Sequence, residues 1–382
     1  MTTQSSLTLS SATFAKLSPH PYLLANLQPP DASTPSSRTN GRQPTQARPP
    51  AINTSSLTHA HGSAVVRTGD TTVICGVRGE TLATSQIPNY RASVSTSSGR
   101  DSESNDATNT NELRDYDLLV PNIELATGCA PNFLPGVPPT TLAQTLGTRV
   151  YSLLHSSRIL DVADLRIYQD TPPAGAHNNS NNKGDGGDWN KDDDEDEDMR
   201  DTEVEDTDVP PRREVKAYWV LYIDLLFISF DGNPFDAAWA AVLAALRDTR
   251  LPHAYWDADR EMVLCSRREQ PVRLSVLGLP VACTAAVFTA KERLKQNQSK
   301  KASGNTGPFW ILVDPDRFEE GLCDETVTVV VDRSGEDGET KILGISKSGG
   351  TVVGPDVMRR FVKVAEGRWQ EFQDALFMIP YG

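Results

Sequence analysis

The chain has 382 residues, 38% of them hydrophobic and 23% charged, which fits one or two folded domains and excludes a fibrous or wholly disordered chain. Its net charge is −14. Residues 191–208 hold twelve acidic and two basic side chains, a net of −10, which leaves −4 for the rest and argues against tight stand-alone binding of nucleic acid, where a basic surface is needed to neutralise phosphates.

The longest apolar run, near AAWAAVLAAL, is too short to span a bilayer. The first residues, MTTQSSLTLSSATFAKL, lack the basic start and apolar core of a secretory signal. Cys75, Cys129, Cys265, Cys283 and Cys323 form no C-x-x-C pair, so they read as reduced core thiols of a nuclear or cytosolic protein.

In chain order, residues 11–27 read as a short helix, a turn at SPHP and a second helical piece. QPPDASTPSSRTNGRQPTQARPP has too many prolines and polar residues for regular structure and reads as an extended arm. SAVVRTGDTTVICGV holds two β-branched runs joined by Arg-Thr-Gly-Asp, a hairpin. Residues 93–115 are polar and read as a disordered loop. DLLVPNIELA returns to the sheet. In residues 140–157, Leu142, Leu146, Val150 and Leu153 make a helical stripe. ILDVADLRIYQ reads as a strand, and residues 171–214 as an unstructured Gly/Asn/acidic insert.

The second half opens on a buried strand, residues 217–230, and a helix, residues 234–246. Asp231-Gly232-Asn233-Pro234 lies between them, a tight turn with Pro234 set for the first helical turn. A helix N-terminus of this kind suits an anion such as phosphate. Yet no Lys or Arg occurs between Lys216 and Arg247. Strands are expected near 262–265, 272–276, 281–288, 309–313, 326–332 and 341–347, with a polar loop after 288. A last helix opens at Pro355, with Val357, Phe361, Val364, Ala365, Trp369 and Phe372 on one face. The two halves share this strand-and-helix grammar, which points to an α+β domain with pseudo-repeated βαβ parts.

The segments SRTNGR, GSAVVRTGDTTVICGV, VPNIELATG, YIDLLFISFDGN, WILVDPDRFEEGLCDETVTVVVD and KSGGTVVGPDVM, in this order, resemble the RNase PH family, and within it the ring subunits of the eukaryotic exosome. The resemblance covers about residues 11–170 and 214–375. It implies an RNase PH-like α+β fold, one lobe like domain 2 of ribosomal protein S5 and a second βαβ lobe, with helices packed on mixed sheets. The domain division it suggests is a helical segment and arm at 1–50, the RNase PH-like domain at 51–375 with insertions at 93–115 and 171–214, and a tail at 376–382.

Catalytic members cut RNA 3′ ends by phosphorolysis. They need donors that hold phosphate, arginines that hold the RNA backbone, and a carboxylate for acid or metal help. After the Asp-Gly pair they carry Gly-Thr-Arg; here the positions hold Asn233, Pro234 and Phe235. The phosphate-gripping Arg is replaced by Phe235, and Pro234 has no N–H to give. A second Arg ahead of the central helix falls on Pro139. Two Asp positions fall on Glu320 and Thr326. The resemblance therefore implies a catalytically inactive ring subunit, with no cofactor. It would pair with other RNase PH-like subunits and cap proteins, and RNA would thread through the ring to separate nucleases. Such subunits work in the nucleus, nucleolus and cytoplasm.

Other candidates carry two readings each. Arg38 and Arg42 are RNA-contact candidates, or solvated arginines of a flexible arm. His59 and His61 share a strand face but have no third metal ligand nearby. His20, His155, His177 and His253 are isolated. Asp314, Asp316, Glu319, Glu320 and Asp324 form either a Mg²⁺ site or a solvated acidic turn, and the turn is favoured, so no metal is expected. Ser346 to Gly350 resembles a phosphate loop only loosely and reads as a connection to the last helix. The acidic run 192–208 is a solvated loop, or a dock for a basic partner. Two further functions stay open: an active phosphate-dependent 3′–5′ exoribonuclease, and an interaction protein that uses the acidic loop.

Overall fold

The computed structural model describes residues 10–29, 35–91, 112–125, 127–134, 136–171, 212–290, 309–323, 325–335, 338–350 and 353–377. Two helices open the chain, α1 (Ser11–Leu17) and α2 (Pro19–Leu27), as the sequence leads one to expect. The Ser10 side chain caps α1 through the Thr13 N–H, and Pro19 starts α2 where no N–H is needed.

The first sheet holds β1 (Pro50–Thr54), β2 (Gly62–Thr68), β3 (Thr71–Ala83), β4 (Leu119–Leu125), β5 (Arg166–Thr171) and β6 (Arg212–Ser229), in the order β1-β2-β3-β6-β4 with β5 also on β6. The β2–β3 hairpin turns at Gly69, whose φ of +60 suits a residue without Cβ. Strand β6 is the spine. It pairs antiparallel with β3 from Ala217 to Ser229, and on its other flank with β5 antiparallel and β4 parallel. Between the parallel strands β4 and β6 the chain passes through α3 (Thr141–Ser156) and then β5, which pairs antiparallel with β6.

Helix α4 (Pro234–Asp248) follows β6 and packs on β1, β2, β3 and β11 (Val281–Thr289) of the second sheet. It is buried on nearly every side, including Phe235, Trp239, Val242 and Leu246, which is why its sequence is apolar all round rather than striped. Its alanines let strands approach closely. A Cβ on Gly62 would run into the α4 backbone at Ala245 and into Thr249. Gly62→Ala is therefore expected to cost about 2 kcal/mol through overpacking, read as a lower urea midpoint with unchanged slope.

Two small pairs, β7 (Arg250–Leu251) with β10 (Val272–Arg273) and β8 (Ala254–Asp257) with β9 (Met262–Cys265), lie between the sheets in sequence. The second sheet is antiparallel in the order β12-β11-β13-β14, with β12 (Phe309–Val313), β13 (Glu325–Asp332) and β14 (Lys341–Ser348). Strands β12 and β13 both run antiparallel to β11, hence parallel to each other, and α5 (Arg317–Glu320) joins them. This is a βαβ unit split by one strand. The last helix, α6 (Pro355–Phe377), buries Phe361, Ala365, Trp369 and Phe372 against β11, β13 and β1. The indole N–H groups of Trp239 and Trp369 donate to the carbonyls of Pro280 and Leu279 at 2.7 Å, tying both helices to the entry of β11. No described helix is long and apolar enough to cross a membrane.

Several expectations need correction. Of the loop at 93–115, residues 112–115 form a helical turn. Leu113 is buried there, and Glu112 pairs with Arg166 at 2.9 Å while accepting from the Tyr218 hydroxyl. The insert at 171–214 ends earlier than expected, because β6 already starts at Arg212. The stretch ILDVADLRIYQ is not one strand. Asp161 caps a 3-10 turn, Val162–Leu165, and only then does β5 begin. The strand expected at 272–276 shrinks to two residues, and α6 runs into the expected tail as far as Phe377. The remaining loop positions, the acidic run 192–208, most of the polar loop after β11, His177 and Asp324 lie outside the described residues.

Candidate functional site

The turn between β6 and α4 is set by two consecutive left-handed residues, Gly232 at φ +77 and Asn233 at φ +48. Gly232 packs directly on the backbone of residues 315–317 and leaves no space for a Cβ. The Thr71 hydroxyl accepts from the Asp231 N–H at 2.9 Å and donates to the Gly232 carbonyl at 3.0 Å. The turn is thus fixed from both sides, by β3 and by the start of α5.

Asn233 stands at the N-cap of α4 and is buried, but its side chain does not cap the helix. Its amide nitrogen donates to Asp236 Oδ2 at 2.9 Å and to Asp314 Oδ1 at 2.8 Å. Its backbone N–H donates to Glu320 Oε1 at 2.7 Å. A carboxylate of the protein therefore sits where a helix N-terminus offers itself to an anion. Pro234, next in line, has no N–H.

Burial sets the protonation of these acids and arginine modifies it. Burial pushes the Glu320 carboxyl up to about 7, with the Asn233 N–H and Arg48 pulling the other way. Burial also raises Asp236, against donors from Thr284 and Asn233, and raises Asp231, against Arg48. At Asp314 burial acts upward too, but the Arg48 hydrogen bonds and charge outweigh it and hold the carboxyl down at about 2.

The cations come from far away in sequence. Arg48 grips Asp314 bidentately, Nε to Oδ2 at 2.7 Å and Nη2 to Oδ1 at 2.8 Å, and its Nη1 donates to the Asp231 carbonyl and carboxylate at 2.9 and 3.1 Å. Arg38 is 1% exposed. Its Nε and Nη2 pair with Glu319, and its remaining donors go to the carbonyls of Val313, Asp314 and Gln46. Arg42 donates through Nη1 to the Asp314 carbonyl at 3.1 Å and to its carboxylate at 3.3 Å.

The arm has no helix or strand over residues 35–49, as its prolines imply, but the expectation for its two arginines is corrected. Residues 35–49 are not a loose arm: three arginines bolt them to the acidic turn. Every N–H of Arg38 is spent inside the protein, so it has none for RNA, and Arg42 is mostly enclosed. The acidic cluster is corrected with it. It is not a solvated turn. Asp314 and Glu319 are buried with arginine partners, and Asp316 caps α5 in a reciprocal capping box with Glu319.

Phe235 is buried at the first turn of α4. The guanidinium carbon of Arg149, from α3, lies 3.8 Å from the centre of its ring. Arg149 Nη2 donates to Thr328 Oγ1 at 2.9 Å. Thr328 shares a hydroxyl contact of 2.9 Å with Thr284, which donates to Asp236 Oδ1 at 2.6 Å. Thr326 is two residues before Thr328 on β13 and so on the same face.

The structure thus gathers Asn233, Pro234, Phe235 and Glu320 at one turn, and sets Thr326 on the strand face that carries Thr328. Pro139 stands outside this network, just ahead of Thr140, the N-cap of α3. Arg48, Arg149, Asp236, Thr71, Thr284 and Thr328 were not singled out in the sequence. The α3 stripe gives the face of Arg149, which follows Leu146 by three, but not its contact with Phe235. His59 and His61 precede β2 in a turn, and His61 Nδ1 accepts the Gly79 N–H at 2.9 Å. Residues 346–350 finish β14 and turn at Gly349, where Lys347 Nζ donates to the Gly349 carbonyl.

Residues 46–252 match the family model "3′ exoribonuclease family, domain 1", and residues 278–368 match domain 2 of that family. The chain is similar to exosome complex component rrp43 of Schizosaccharomyces pombe, 26% identical over 363 residues, covering 95% of this chain and 97% of that protein. It is also similar to exosome complex component Rrp42 of Methanothermobacter thermautotrophicus, 24% identical over 326 residues, covering 84% and 83%. Among solved structures, an Archaeoglobus fulgidus exosome with RNA bound to the active site aligns with a TM-score of 0.56 at 22% identity, over 93% of this chain and 96% of the other. An archaeal exosome core aligns at 0.53 and 20%, over 96% and 100%. At these identities the structural matches speak for the fold.

Proposed function

The chain belongs to the 3′ exoribonuclease family of RNase PH type, and from that premise we propose that it is a non-catalytic ring subunit of an RNA exosome. It contributes wall and pairing surfaces to a ring of RNase PH-like chains bearing cap proteins. RNA passes through that ring to separate nucleases, in processing of ribosomal RNA and decay of messenger RNA, in nucleus, nucleolus and cytoplasm. End-to-end similarity to exosome components supports the assembly reading. The net of −4 outside the acidic run fits a subunit that holds RNA only with neighbours.

One observation carries the inactivity: the Glu320 carboxylate sits on the Asn233 N–H at the head of α4. An incoming phosphate dianion would have to displace a carboxylate there, without the arginine that Phe235 replaces. One lost charge-assisted contact alone is worth about 1.5–3 kcal/mol. The test is release of nucleoside diphosphates from a short RNA in phosphate buffer, with Asp231→Ala as control. Wild type and variant are both expected at the no-protein background. Phosphate-dependent release that Asp231→Ala abolishes would establish an active exoribonuclease instead. Co-purification of tagged protein, with the native mass of what comes with it, tests the assembly. Other RNase PH-like chains are expected in fixed ratio, and recovery of the protein alone would sink the ring reading.

A further inference from the structure

We propose that the open edge of β12, with the groove beside it, binds an extended segment of a partner protein in which alternate apolar side chains are flanked by acidic ones.

The hydrogen bonds show which way the edge faces. Strand β12 stands at the end of the second sheet, next to β11. Asp314, just past its end, donates its N–H inward to the Thr284 carbonyl at 2.9 Å, while Val313 donates outward to the Pro44 carbonyl at 2.9 Å. Successive residues of a strand alternate, so Ile311 and Phe309 also turn their N–H and C=O groups outward. The arm covers this edge at Val313, and among the described residues no backbone continues it along Ile311 and Phe309. A half-covered edge is a template for one more strand.

A groove of 430 Å³ runs along that edge, between β12 and α6. Ile311, Val313, Val357, Phe361 and Val364 line it, with Pro44 of the arm. Ile311 and Val313 lie two apart and so share a face. A strand added beside them would send every second side chain toward the same groove. The backbone edge gives affinity to any extended chain, and the groove selects apolar residues at alternate positions.

Charge narrows the occupant further. Arg360 lines the groove and is exposed, and Lys363 is exposed three residues on along α6. Neither has a carboxylate partner among the described residues; the ion pairs of α6 belong to Arg359 and Arg368. The hydrogen bond of Arg360 goes to the Asp356 carbonyl, at 3.4 Å. The chain's own residues 291–308, which lead into β12, hold five basic side chains and one acidic. That is the wrong sign to lie against Arg360, whereas an acidic segment of another protein fits it.

The probe is a labelled, blocked heptapeptide, Glu-Thr-Val-Thr-Val-Thr-Glu, which places two valines and both glutamates on one face. It is titrated by fluorescence polarisation against the full chain, alone and within the assembly that co-purifies with it. A counterpart with lysine at both ends is titrated in parallel. The glutamate peptide is expected to bind and the lysine peptide to bind at least tenfold more weakly. Arg360→Glu is expected to weaken the glutamate peptide about tenfold and to favour the lysine one. Ile311→Pro removes an N–H that only the peptide would use, a change that an edge strand tolerates, and is also expected to weaken binding about tenfold. Arg360 is exposed, so its variant keeps the test open if Ile311→Pro does not fold. Equal binding of the two peptides, no binding, or binding that either folded variant leaves unchanged would overturn the proposal. Binding to the free chain that is lost in the assembly would overturn it as well, because the groove would then belong to a neighbouring subunit.

Discussion

Arg38→Met is expected to destabilise the protein by about 3–5 kcal/mol, because it strands a buried carboxylate. Neither Arg38 nor Glu319 shows any side-chain surface to solvent. In the variant, the buried Glu319 is left without its guanidinium, and the carbonyls of Val313, Asp314 and Gln46 lose their donor. Such a loss is a large part of the roughly 5–15 kcal/mol by which domains are stable. The arm would detach first, since Arg38 anchors its start and Arg48 its end. The double variant Arg38→Met/Glu319→Leu removes both charges and is expected to recover most of the loss. Urea denaturation of the full chain and its variants at pH 7 reads all three. A single variant within about 1 kcal/mol of wild type would refute the account, because it would place the pair in the range of exposed salt bridges.

That ion pair also marks where the sequence stops being legible. Helix α4 and its turn could be read locally: Pro234 stands at the first helical position, glycine precedes asparagine, and the apolar run has no polar face. The α6 stripe could be read as well, because Phe361, Ala365, Trp369 and Phe372 follow the helical period and do bury. The β2–β3 hairpin announced itself through Thr-Gly-Asp. Arg38 could not be read this way. Its partner Glu319 is 281 positions along the chain, and no local pattern encodes that distance. Proline and polar residues correctly excluded helix and strand from its arm, but long-range charge pairing, which they do not encode, is what fixes it in place. Two acids of the turn, Asp314 and Glu319, are paired with three arginines of the arm, yet neither cluster names the other. The exchange of arginine for Phe235 was legible only through family resemblance, and Arg149 above it only once α3 and α4 were placed side by side. The break in ILDVADLRIYQ had a local signal, Asp161 as a cap, masked by the β-branched residues around it.

The acid at the head of α4 gives a pH signature that the family scaffold alone would not. The Glu320 carboxyl titrates near 7 in the folded protein against an ordinary 4.5. Below 4.5 the group is protonated in both folded and unfolded chains, so it imposes no penalty. Between 4.5 and 7 the unfolded chain ionises and the folded one does not, so stability falls as pH rises. Above 7 the penalty is complete, bounded at about 3 kcal/mol. Asp314 works in the opposite sense and in another window. Its folded pKa, about 2, lies below the ordinary 3.8, so its contribution is present above about pH 4 and fades as pH falls toward 2. Asp231 and Asp236, both raised by burial, slope the same way as Glu320, which is why the wild-type profile alone cannot isolate it. Glu320→Gln can. Glutamine keeps an oxygen for the Asn233 N–H and never ionises, so the variant is expected to match wild type at pH 5 and to exceed it by about 1–3 kcal/mol at pH 8. Urea midpoints at pH 5, 6, 7 and 8 give the difference directly. A constant gap across that range would mean that Glu320 is ionised throughout, held as a permanent anion on the helix head. A gap opening between pH 5 and 8 would mean that the helix head carries a neutral acid in mildly acidic conditions and acquires its internal anion only as the pH rises.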